Sequence, residues 1–129
     1  MKIIIEKIVL DVHNNIFVHF SSNYGKGAAL WKDDLPILHK EYCVEADIEN
    51  VLIWGQDIVE DMSRGCSVQI QDDDIWFAGI LDSIEDDGYT VLKLGESIVP
   101  FISKGIPMVV GSSIKLKTKF LILTPILEP

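Results

Sequence analysis

The sequence predicts one mainly β domain spanning residues 1–129: a small barrel or sandwich of seven to eight short antiparallel strands, OB-like in one variant, with at most one or two short helices. Three observations predict it. Apolar and polar residues alternate with period two in several segments, the signature of strands with one buried and one wet face. Turn residues separate these segments at short intervals. Sustained 3.6-residue periodicity is absent. At 129 residues with 48% hydrophobic composition, the chain can bury a core without a metal or disulfide.

Each element has its own warrant. Ile3 to Val12 and Ile16 to Phe20 read as two strands joined by His13-Asn14-Asn15, since Asn tolerates positive φ. Gly25 to Lys40 lacks clear periodicity, and a cap followed by Pro36 predicts a short helix starting at Asp34. In Glu41–Glu49 the even positions are apolar and the odd ones acidic except Cys43, a half-buried strand with an acidic face. Asp57 to Arg64 reads as one or two helical turns, and Ser67 to Gln71 as a short strand. Ile75 to Glu85 and Tyr89 to Val99 read as a hairpin. Asp87-Gly88 suits the two-residue type I′ loop, in which both central residues need φ > 0. That register would set Ile84 against Val91, Asp82 against Lys93, Leu81 against Leu94 and Phe77 against Ile98. Ser113 to Lys119 alternates, and Phe120 to Leu127 forms a last strand that Pro125 confines to an edge or an end. The strand-and-glycine rhythm from Tyr42 to Leu127 resembles an oligonucleotide-binding barrel. No diagnostic motif accompanies it, so no site is transferred.

Charge narrows the function. The net charge is −9. Residues 41–96 are strongly acidic, and the flanking segments are weakly basic. A polyanion needs a basic groove, so nucleic acid is disfavoured. The aromatics that could stack bases (Trp54, Trp76, Phe77, Tyr89) lie in the acidic block, while the one basic stripe is Lys115, Lys117 and Lys119. That stripe reads as a solvated face that discourages edge association. No targeting segment opens the chain, and no apolar run reaches the ~20 residues of a membrane-spanning helix. Cys43 and Cys66 make no C-x-x-C pair and read as reduced thiols. The expected location is the cytoplasm.

Catalytic and metal signatures are missing. There is no G-x-S-x-G, H-E-x-x-H or phosphate-cradling loop; His13 reads as a turn residue and His19 as a strand residue, and no motif joins these or His39 to a nucleophile. Asp72-Asp73-Asp74 and Glu85-Asp86-Asp87 sit at opposite ends of one strand. The second run fails the calcium-loop template, because Leu94 falls where a bidentate Glu belongs. Both read as solvated turns, and neither a cofactor nor a metal is expected.

What remains is binding. The expected function is that of a non-catalytic acidic module engaging another protein, a basic one, in the manner of an inhibitor or immunity protein that mimics phosphate charge. Candidate contacts are Glu41, Glu45, Asp47 and Glu49 on one strand face, the turn acids Asp72, Asp73, Asp86 and Asp87, and Trp54 and Trp31 as aromatic anchors. The alternatives are a small barrel that binds a ligand or single-stranded nucleic acid in its groove, and an enzyme with an unrecognised carboxylate site. An open strand edge offers a route to a homodimer.

Overall fold

The computed structural model describes residues 1–126; the end of the expected last strand, Leu127, lies outside them. Twelve strands follow in order: β1 (Lys2–Leu10), β2 (Ile16–Ser22), β3 (Gly25–Trp31), β4 (Glu41–Ile48), β5 (Leu52–Ile53), β6 (Ile58–Glu60), β7 (Ser67–Gln71), β8 (Asp74–Ile84), β9 (Tyr89–Leu94), β10 (Ser97–Lys104), β11 (Ser113–Thr118) and β12 (Leu121–Pro125). The mainly β fold is as expected, with more strands than seven or eight. No helix occurs among the described residues. The two segments expected to be helical hold strand β6 after Asp57, and β3 followed by an irregular loop over residues 32–40.

Five strands close a barrel. β1 pairs with β2 and β2 with β3, all antiparallel; β4 returns beside β1, and β12 fits between β4 and β3. The seam between β12 and β3 is parallel, with Ile122 opposite Leu30 and Leu123 opposite Trp31. Three hairpin-connected strands and a fourth returning beside the first make a Greek key, the connectivity of an OB-like barrel. The barrel is built from residues up to Ile48 and after Phe120, rather than from Tyr42 onward. Its interior follows from alternation: Ile3, Ile5, Val18, Phe20, Val44 and Leu123 are fully buried. The first hairpin turns through Asp11, whose Oδ1 accepts the backbone N–H of His13 at 2.8 Å and of Asn15 at 2.9 Å, with Asn14 at φ 62°.

The chain between β4 and β12 builds the rest. β8 is the spine, eleven residues long. One of its edges carries β7 along residues 74–78 and then β9 along 80–84, while the other carries β11. Gly79 sits at the handover, where a Cβ would collide with the Lys93 carbonyl oxygen. β9 continues to β10 and β10 to β5, while β11 continues to β6. Buried residues of both parts form one apolar cluster.

The hairpin registers differ from expectation. Glu85 N–H donates to Tyr89 O, and Gly88 N–H to Glu85 O; Gly88 has φ +92° while Asp87 is not left-handed. This is a three-residue loop with a glycine bulge, not a type I′ turn. Ile84 therefore faces Thr90, Leu81 faces Leu92 and Ile80, not Asp82, faces Lys93, with a further bulge at Asp82. Phe77 lies between Val68 and Leu116, because Tyr89–Val99 is broken into β9 and β10 at Gly95-Glu96. The two-residue loop occurs instead between β7 and β8. Gln71 pairs with Asp74, and Asp72 and Asp73 between them have φ 52° and 66°.

Candidate functional site: an apolar groove with an acidic rim

β4 alternates as its sequence dictates. Val44, Ala46 and Ile48 point into the barrel, while Glu41, Glu45 and Asp47 point to solvent, followed by exposed Glu49. Registry extends this outer face. Asp47 stands opposite Ile122, Ile122 opposite Leu30, Leu30 opposite Phe17 and Phe17 opposite Val9. Paired residues share a face, so an acidic strand borders an apolar row.

That row is the floor of a groove of about 340 Å³, lined among others by Phe17, Ala28, Leu30, Phe120 and Ile122. Phe17 is 41% exposed and Phe120 56%. Ile122, although outside the barrel, is 5% exposed, since the inserted segments stand over it. The rim is charged. Glu49 and Asp73 line it from elements far apart in sequence, together with Lys119. Lys119 Nζ is held by Asp74 at 3.0 Å, and Glu49 lies 3.9 Å from Lys32 Nζ. Asp73 makes no ion pair among the described residues. Glu49 N–H donates to Phe120 O at 3.1 Å, which ties the two junctions of the inserted segment together at the groove.

The expected sites divide. Glu41, Glu45, Asp47 and Glu49 share one face, and Asp72 and Asp73 occupy the turn beside the same groove. Asp86 and Asp87 are exposed at the other end of β8, where Asp87 Oδ1 accepts the Tyr89 N–H at 2.9 Å. They line a different cavity, with Lys104 and Pro107. Trp31 and Trp54 are not exposed anchors. Trp31 is 4% exposed, edge-on to Tyr42 at 5.1 Å, and donates Nε1–H to Asp34 O at 2.8 Å. Trp54 is buried and donates to Ser103 Oγ at 3.0 Å. With both indole N–H groups satisfied internally, burial carries no polar penalty.

The exposed aromatics at this groove are Phe17 and Phe120 instead. Phe17 was legible: in Ile16–Phe20, Val18 and Phe20 are the inward pair, which puts an aromatic on the wet face. Phe120 sits in the two-residue link between β11 and β12, where alternation says nothing. The groove's walls suit an apolar side chain and its rim a cation. Among the described residues no group of three or more His, Cys, Asp or Glu is placed to hold a metal ion, and no helix is long and apolar enough to cross a membrane. No protein-family model, curated protein or solved structure matches this chain.

Proposed function

We propose that the protein is a non-catalytic binding module that docks a basic, amphipathic segment of another protein in this groove. The observation that carries the reading is the meeting of two exposed phenylalanines with carboxylates on both sides of one groove. Burying the exposed parts of Phe17 and Phe120 (41% and 56%) removes on the order of 200 Å² of apolar surface from water, about 5 kcal/mol before the costs of association. The acidic rim adds encounter steering and rejects anionic competitors. An inhibitor of a basic enzyme is one module of this kind. Cys43 and Cys66 form no disulfide, which suits a reducing cytoplasm.

The test is capture of partners at low and high salt by the wild-type chain and by two variants. One is Phe17→Ser with Phe120→Ser; the other reverses the signs at Glu45, Asp47 and Glu49. Captured basic proteins should be released by salt and lost by both variants. Partners that both variants retain with undiminished affinity would remove the groove and its acidic flank from the binding surface.

A further inference from the structure

A second surface lies on the outer face of β7, β8 and β11. Registry places Gln69, Trp76 and Lys117 in one cross-strand row, and Ser67, Ala78 and Lys115 in the next. In the sequence Trp76 belongs to the acidic block and the lysines to a remote stripe. Pairing of β8 with β11 brings them together: Nζ of Lys115 and of Lys117 each stand 5.8 Å from the Trp76 ring centroid. That distance is at the outer limit of a cation–π contact, so both ammonium groups stand over the ring only loosely. Neither ammonium makes an ion pair among the described residues. Ile75 and Phe77 are buried while Trp76 is half-buried, so the indole belongs to the outer face by alternation. Beside it opens a cavity of about 410 Å³, lined by Trp76, Gln69, Gln71, Ser67 and Lys115, with Asp61 also contributing. Asp61 is fixed by Ser63, whose hydroxyl donates to its Oδ1 at 2.8 Å.

We propose that this cavity binds a neutral oligosaccharide, with one pyranose ring stacked on Trp76. An indole offers a flat apolar plate to the C–H face of a sugar. Each sugar hydroxyl both donates and accepts, and the lining supplies both: amides and a hydroxyl that do either, a carboxylate that accepts and an ammonium that donates. The cavity is open, with polar side chains around the one aromatic in its lining that is not fully buried, Trp76, and has room for a short oligomer rather than a single small ion. A polyanion would use the same ring and lysines, but it would also meet the Asp61 carboxylate in the lining, which repels a phosphate and accepts a hydrogen bond from a neutral sugar. No lining residue is shared with the Phe17–Phe120 groove, so the two readings stand or fall separately.

The full chain is titrated with cellotetraose, chitotetraose, maltotetraose and xylotetraose while tryptophan fluorescence is followed. Trp31 and Trp54 are buried, so a change reports Trp76. At least one sugar should give saturable, salt-independent binding that Trp76→Ala abolishes. Gln69→Ala, at an exposed strand position, should weaken it about tenfold without loss of fold, and Phe120→Ala should leave it unchanged. Absence of any response at about 10 mM sugar, about tenfold above a weak Kd of about 1 mM, overturns the proposal. So does binding that survives Trp76→Ala, or saturation by an oligothymidylate with an affinity that falls with salt in place of the sugars.

Discussion

The turn between β7 and β8 joins stability to the groove. Asp72 and Asp73 both occupy left-handed backbone, φ 52° and 66°, in a two-residue loop that favours Asn-Gly. A left-handed L-residue costs roughly 1–2 kcal/mol, less for Asp than for most. Glycine at the second position relieves that cost and returns roughly 0.5–1 kcal/mol through the freer unfolded chain. The paired change Asp72→Asn with Asp73→Gly also removes two adjacent like charges. The expected net gain is about 1 kcal/mol, or roughly 3–5 °C in Tm for a domain of this size. Urea unfolding should show a higher midpoint with an unchanged slope. The same variant removes a carboxylate that lines the groove without an ion pair. Affinity for a basic segment should then fall by about 0.5–1 kcal/mol, two- to fivefold. A midpoint that stays level or falls refutes the strain argument. A higher midpoint with unaltered affinity refutes the functional reason for keeping aspartates in a turn that prefers other residues.

Three further outcomes follow from particular contacts. Gly79→Ala should cost about 2–3 kcal/mol by forcing a methyl against the Lys93 carbonyl between β8 and β9; a loss under about 0.5 kcal/mol in denaturant unfolding would mean the strands part freely. Trp54 Nε1–H, Ser103 Oγ, Thr90 Oγ1 and Gly88 O form a buried relay with links of 3.0, 2.7 and 2.9 Å. Thr90→Val strands the Ser103 proton and should cost about 2 kcal/mol, whereas the triple change Thr90→Val, Ser103→Ala, Trp54→Phe should cost less than the sum of its parts; strict additivity counts against the relay. The Asn15 side-chain amide, then the Asn15 and His13 backbone N–H groups, hold the Asp11 carboxyl below its ordinary 3.8. A carboxyl whose pKa is lowered on folding stabilises above its unfolded value, and that contribution fades as pH falls through the folded one. Below about pH 3.8 the wild-type Tm should therefore drop more steeply than that of Asp11→Asn; parallel curves would show that the turn does not bind the charged form.

Where a segment's structure is decided by its own alternation, the sequence was sufficient. β4, β7 and β11 fall where period two puts them, and the acidic face of β4 is wet because Val44, Ala46 and Ile48 are core. β3 was illegible for a converse reason. Gly25-Lys26-Gly27-Ala28-Ala29 has almost no intrinsic β preference, and seven rungs of pairing with β2 impose the strand on it. The Asp87-Gly88 dipeptide misled because one left-handed glycine also satisfies a bulged three-residue loop, which shifts the partner of Ile84 by one place, and the bulge at Asp82 shifts that of Leu81 by a second.

The groove was illegible because its parts meet only when the barrel closes. Phe17 and Leu30 come from the first hairpins, Ile122 from the last strand and Asp73 from a hairpin between. No local pattern relates them. The topology explains why they converge. The inserted chain leaves the barrel after β4 and re-enters at β12, which are neighbours, so its entry and exit stand side by side, joined by the Glu49–Phe120 hydrogen bond. Side chains at that junction, and the turn that leans over it, must lie against the outer face of β3 and β12. A face that would be bare on an isolated barrel becomes one wall of a cleft, and the acidic strand that ends there supplies the rim. The tryptophans went the other way. Trp31 ends β3 on its inward phase, and the Trp54 indole reaches Ser103, forty-nine positions along the chain, so both were absorbed by the core that long-range pairing creates.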